Sequence, residues 1–156
     1  MLEFIQKIIE FFFGKKYDKD IKDLLPVVEL IKQQYVGMDA LSIDELRGKT
    51  VEFKARIAEF LAEIDEDIAN IKSRMQNDPD MHPDIKEELY EEIDKLDKER
   101  DQELEVVLRE ILPEAFAVVK ETARRFTENE TLTSTATQLD KDLSVTHDFL
   151  NIDGDQ

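Results

Sequence analysis

The sequence predicts a mainly α-helical chain: a long antiparallel helical hairpin of coiled-coil type, flanking amphipathic helices, and an irregular C-terminal tail. Three observations carry this reading. Charged residues make up 38% of the 156 positions. Only four glycines and four prolines punctuate the chain. Two apolar stripes of helical period lie on either side of a proline-containing turn. Such a composition favours long, highly charged helices over a sheet with many turns.

Residues 2–13 form the first element. Glu3, Gln6, Lys7 and Glu10 share one side of a helix, while Leu2, Phe4, Ile5, Ile8, Ile9, Phe12 and Phe13 cover the rest. Gly14 is expected to end it, with Lys15 and Lys16 following. Its apolar face has three candidate covers: the chain's own core, a partner, or a membrane interface. The charges at positions 3, 7 and 10 interrupt the apolar stretch, so it does not read as a signal peptide. No apolar run approaches the roughly 18 residues needed to span a bilayer.

A second helix over residues 18–35 is marked by Ile21, Leu24, Leu25, Val28 and Ile31. Pro26 is expected to bend it or to start a fresh helix in its first turn. Ser42 and Glu45 have the spacing of a capping box, and a long helix runs from Ile43 past residue 70. Its second half repeats Ile57, Leu61, Ile64, Ile68, Ile71 and Met75, gaps of four and three that are heptad a and d positions. QNDPDMHP, residues 76–83, makes a turn. Beyond it the stripe restarts with Ile85, Leu89, Ile93 and Leu96, breaks at the polar Arg100, and resumes with Leu104, Val107 (beside Leu108) and Ile111. Matched stripes around a tight turn predict an antiparallel hairpin.

Pro113 is expected to interrupt the line. A further helix then carries Ala115, Phe116, Val119, Ala123 and Phe126 along one side. From Thr127 the composition turns to Thr, Ser and Asp. This tail reads as extended or loop structure, with a short helix near 138–145 and a short strand at 149–152.

Charge excludes some functions. The net charge is −17 and the isoelectric point about 4.5, which disfavours nucleic-acid binding, since phosphate contact relies on clustered Lys and Arg. Residues 58–112 hold 19 Asp and Glu against seven Lys and Arg, a net −12, so most of the net negative charge lies on the hairpin. Such charge usually marks a solvated face. The absence of cysteine removes disulfides, thiolate nucleophiles and thiolate metal sites.

A search for catalytic chemistry finds little. Arg47-Gly48-Lys49-Thr50 ends like a phosphate-binding P-loop, but Ile43 stands where the first glycine belongs and no apolar strand precedes it. Gly48 is then a glycine inside a helix, at a cost of about 1 kcal/mol relative to Ala. A di-metal carboxylate bundle needs Glu-x-x-His pairs, and neither His82 nor His147 follows a glutamate by three. An EF-hand ending at Gly154 would need an acid where Phe149 stands. No G-x-S-x-G or H-E-x-x-H is present, and His147-Asp148 lies in a polar tail. The reading assigns no catalytic, cofactor-binding or metal-binding residue.

Two stretches together resemble a known family. LSIDELRGKTVEFKARI (41–57) and ILPEAFAVVKETARRF (111–126) are similar to the amino-terminal region of SecA, the family of bacterial preprotein translocase motor ATPases. There an L-S-D-E-E-L-(R/K)-x-K-T-x-E-F-(R/K) helix is followed by L-P-E-A-F-A-V-V-(R/K)-E-A-(S/A)-(R/K)-R. Phe13-Gly14-Lys15 with Asp18 resembles the family's opening turn. The T-A-T and D-F-L-N-I-D-G-D of the tail resemble a segment that some members place before the nucleotide-binding domain. The resemblance covers about 12–57 and 105–127, and the hairpin between looks like an insertion.

The resemblance implies an ATP-hydrolysing translocase, with ATP and magnesium as cofactors of the whole protein, driving preproteins through the SecYEG translocon. The family's adenine-reading glutamine, Walker A and Walker B acids have no counterpart in these 156 residues, so this stretch is expected to be inactive on ATP by itself. It implies contact with acidic phospholipid and with the translocon through Leu2, Phe4, Ile5, Ile8, Ile9, Phe12, Phe13, Lys15 and Lys16, and a peripheral position on the cytoplasmic face of the inner membrane. The implied organisation is a contact helix at 1–16, a helical region at 17–127 containing the hairpin 57–111, and a lead-in to the nucleotide-binding domain at 128–156. Gly48 is expected to allow close packing against a neighbour in the complete motor. Apolar surface leaves a homodimer open. The competing reading is a free-standing acidic helical-hairpin adaptor that binds a protein partner.

Overall fold

The computed structural model describes residues 2–156, with side chains described from Lys19 onward. Among the described residues, four α-helices and one short 3-10 turn occur in the order α1 (Leu2–Tyr35), the 3-10 turn (Met38–Ala40), α2 (Ile43–Asn77), α3 (Pro83–Glu128) and α4 (Gln138–Ser144). The chain divides into two units. One comprises Met1–Ile43 with Pro113–Gln156, the other Asp44–Leu112.

Neither Gly14 nor Pro113 ends a helix, and no fresh helix starts at Pro26. α1 continues through Gly14 and Pro26, and α3 through Pro113. A glycine lowers helix propensity by about 1 kcal/mol without forbidding the helix, and a proline removes one backbone bond; helices of 34 and 46 residues retain the rest of their ladders. Arg100, where the apolar stripe breaks, has a partner on α2. Its Nε and Nη2 donate to Asp65 Oδ1 and Oδ2 at 2.5 and 3.4 Å. The Arg100 guanidinium holds the Asp65 carboxyl below its ordinary value, and Asp65 raises that of Arg100 in return.

Within the unit Asp44–Leu112 the two heptad stripes line the interior. Leu61 and Ile68 of α2 and Leu89, Ile93, Val107 and Ile111 of α3 are buried. Ile57, Ile64, Ile71, Met75, Leu96 and Leu104 are half-buried between them, while Ile85 is exposed. The connecting turn is held by local bonds. Met81 N–H donates to Asp78 O at 3.2 Å, and Lys86 Nζ reaches Pro79 O at 3.1 Å. Met81 tucks inward to 8% exposure. Pro83 opens α3, where its missing N–H is harmless, and the His82 ring accepts the Asp84 N–H at 3.3 Å.

Gly48 lies on α2, exposed, with nothing within 4 Å of where a Cβ would sit. The described residues therefore do not supply the close packing expected of it. Gly48→Ala is expected to stabilise the chain by about 0.5–1 kcal/mol through backbone entropy. Denaturant titration measures this; a lowered midpoint would contradict it.

In the other unit, Gly37 adopts φ +86° and terminates α1 in the left-handed conformation that glycine takes without strain. α4 has a complete capping box: Thr137 Oγ1 accepts the Asp140 N–H at 3.3 Å, and Asp140 Oδ2 accepts the Thr137 N–H at 2.8 Å. The strand expected at 149–152 is absent. A strand needs a ladder partner, and no strand exists among the described residues. Leu150 N–H instead closes a turn onto His147 O at 3.2 Å, and Ala136 N–H bonds Asp155 O at 2.8 Å.

Candidate functional site

The side chains assigned to membrane and translocon contact, Leu2, Phe4, Ile5, Ile8, Ile9, Phe12, Phe13, Lys15 and Lys16, lie outside the described residues. The P-loop-like tripeptide lies within α2. Backbone N–H groups inside a helix already donate to carbonyls four residues back, so they cannot cradle a phosphate. Lys49 Nζ instead meets Glu52 Oε2 at 2.8 Å, one turn along. Among the described residues no group of His, Asp or Glu is arranged to hold a metal ion, and no helix is long and apolar enough to cross a membrane.

The most specific arrangement lies at the C-terminal end of α3, on residues that the sequence reading passed over. Pro113, Ala117, Glu121 and Arg125 recur every four positions and form its buried line. Phe116, Val119 and Phe126, the expected apolar side, are 56%, 65% and 68% exposed. Glu121 is fully buried and both of its oxygens accept hydrogen bonds. Its Oε1 accepts from Arg124 Nη2 and Arg125 Nε, both at 2.7 Å. Its Oε2 accepts from Arg124 Nε at 2.9 Å and from the Tyr35 hydroxyl at 3.0 Å.

Arg125 extends the network. Its Nη2 donates to Met38 O at 3.1 Å and to Leu41 O at 2.6 Å, covering carbonyls at the start of the 3-10 turn and just after it. Arg124 also pairs with Glu128, and the Lys120 ammonium sits 4.0 Å from the centre of the Tyr35 ring. One carboxylate thus ties the last turn of α1, the turn after it and α3 together.

The electrostatics describe a structural clasp. Hydrogen bonding from Arg124, then Arg125 and Tyr35, outweighs burial and holds the Glu121 carboxyl down at about 2. The same contact raises the Tyr35 hydroxyl above its ordinary value. A carboxylate that already accepts four bonds and protonates only near pH 2 is a poor general base. Its chemistry is positioning. The sequence signal was the Glu121-x-x-Arg124-Arg125 spacing, which places both guanidiniums one turn from the carboxylate; that spacing is common on exposed helices, and burial distinguishes this one.

Comparison with known proteins identifies the lineage. A family description of the SecA DEAD-like domain matches residues 9–140. The chain belongs to the SecA family. It is 42% identical over 153 residues to the protein translocase subunit SecA of Porphyromonas gingivalis strain ATCC 33277, covering 98% of this chain and 13% of that protein. To the SecA subunit of Flavobacterium psychrophilum it is 44% identical over 154 residues, 99% of this chain and 14% of that protein. To that of Cytophaga hutchinsonii it is 45% identical over 132 residues, 85% and 12% respectively. The chain spans 13–14% of the length of the first two relatives, and both alignments are long enough to run across the hairpin. No solved structure matches it.

Proposed function

We propose that this SecA-family chain is the amino-terminal scaffold and tether of an ATP-driven protein translocase working at the cytoplasmic face of the membrane with SecYEG. The whole protein would bind ATP and magnesium through residues other than these and move preproteins. The single observation carrying this reading is the family match over residues 9–140.

The structure adds physical support. Phe116, Val119 and Phe126 form an apolar side of α3 without a cover among the described residues, suited to packing against further sequence of a larger protein. α1, of 34 residues, amounts to about 50 Å of helix at its usual rise. It joins the assigned contact residues 2–16 to Tyr35 and hence to the Glu121 clasp. Lys7, Lys15 and Lys16 would each contribute about 1 kcal/mol near an anionic surface, partly offset by Glu3 and Glu10. Insertion of Phe and Ile must therefore dominate membrane binding. The heptad spacing of the hairpin is suited to knobs-into-holes packing.

Cosedimentation with vesicles containing anionic phospholipid tests the tether. The chain is expected to bind, and removal of residues 1–16 to abolish most of the binding with little dependence on salt. Undiminished binding by the shortened chain would refute the assignment.

A further inference from the structure

We propose that a groove on one side of the α2–α3 hairpin docks a basic, amphipathic segment of a partner protein. This surface is independent of the tether and of the ATPase reading. A groove of about 350 Å³ is lined by Phe60, Glu63, Ile64 and Asp67 of α2 and by Leu96, Glu99 and Glu103 of α3. Its apolar part is unfinished: Ile64 and Leu96 are half-buried seam residues, but Phe60 is 43% exposed. An aromatic left open beside a seam that buries its neighbour Leu61 to 1% is available as a contact for a second apolar surface.

Charge decides which surface. Glu63, Asp67, Glu99 and Glu103 surround the groove, and none of them forms an ion pair among the described residues. Elsewhere the hairpin does pair its charges across the seam, as Asp65 does with Arg100. Four uncompensated carboxylates repel nucleic acid, an anionic membrane and a second copy of this acidic chain alike. They attract lysine and arginine, steering association and fixing orientation more than they add raw affinity. The apolar residues between them select a ligand with an apolar stripe over a free cation. The occupant that satisfies both is a helix or extended segment with alternating basic and apolar positions, laid along the seam as in helix-in-groove recognition.

The probe is a short amphipathic leucine-lysine peptide, with oligolysine of equal charge as its control, titrated into the whole chain by fluorescence anisotropy. The amphipathic peptide is expected to bind more tightly than oligolysine and to weaken as salt rises. Changing Glu63, Asp67, Glu99 and Glu103 together to the corresponding amides should weaken binding about tenfold, from four solvent-accessible charge contacts. Phe60→Ala should weaken it several-fold while preserving the salt dependence. The comparison variant neutralises Glu87, Asp94, Asp97 and Asp101, which helical geometry turns away from Glu99; it removes the same charge and should lose far less. Circular dichroism verifies that all variants fold. Equal loss in the two charge variants, oligolysine binding as well as the amphipathic peptide, or no binding at all would overturn the proposal. So would sedimentation showing a dimer that Phe60→Ala dissociates, since the groove's occupant would then be a second copy.

Discussion

Glu121→Gln is expected to destabilise the chain by about 3 kcal/mol and to remove a component of its acid sensitivity. The substitution preserves shape but deletes the charge against which Arg124 and Arg125 are placed. Arg125 cannot swing away to water, because its Nη2 is bonded to Met38 O and Leu41 O. Breaking a buried pair by removing one partner leaves an uncompensated charge, whose desolvation is the source of the loss. Arg124, with its side chain 38% exposed, recovers some solvation, which places the expectation at the lower end of the usual range.

The pH dependence has a definite sign. The Glu121 carboxyl is depressed from its ordinary 4.5 to about 2 in the folded chain, so the unfolded chain takes up the proton first as pH falls. Its contribution to stability is fully present above about pH 5 and is lost progressively between there and pH 2. Protonation of the other acids also relieves the repulsion within a chain of net charge −17, which acts in the opposite direction. That relief is common to the wild-type chain and the variant and cancels in their difference. Urea unfolding of both, from pH 7 to pH 3, should show the gap closing as pH falls. A gap independent of pH would mean that Glu121 acts through packing alone.

Leu61→Ala should cost a comparable amount, about 3 kcal/mol, through lost burial and the cavity left behind. Leu61 is 1% exposed and lies in the seam between α2 and α3. The adjacent Phe60, larger and nominally more hydrophobic, is 43% exposed, so Phe60→Ala should lower stability by well under half as much. Denaturant midpoints for the pair measure the contrast directly. Equal losses would mean that Phe60 is covered in solution, and the open groove would be lost with it.

The helical class and the apolar stripe of α2 are largely legible in the sequence. Ile57, Leu61, Ile64, Ile68, Ile71 and Met75 repeat at four and three, and each is buried or half-buried; the turn at 76–83 and the short helix near 138–145 also fall where composition places them. The signal is local: a helix converts sequence spacing directly into a face, and two matched faces have few ways to hide other than against each other. Breaks were less legible. Gly14 and Pro113 look like helix ends in isolation because a single residue's propensity leaves out the neighbouring turns that carry the helix through it. The strand at 149–152 failed for the complementary reason: strand formation depends on a partner elsewhere, which no local pattern contains.

The clasp lies at the limit of such reading. Apolar spacing pointed to Phe116, Val119 and Phe126 as the working side of α3, yet its buried line carries Glu121 and Arg125. Sequence by itself determined the helical class, the acidic composition and, through two stretches of residues, the family. Tertiary structure alone decided which polar groups were taken out of water and which apolar ones were left in it. Periodicity specifies what shares a face; the Tyr35 hydroxyl that reaches Glu121 across 86 positions of chain, and the Leu41 carbonyl that Arg125 reaches across 84, determine whether charges on that face can be buried.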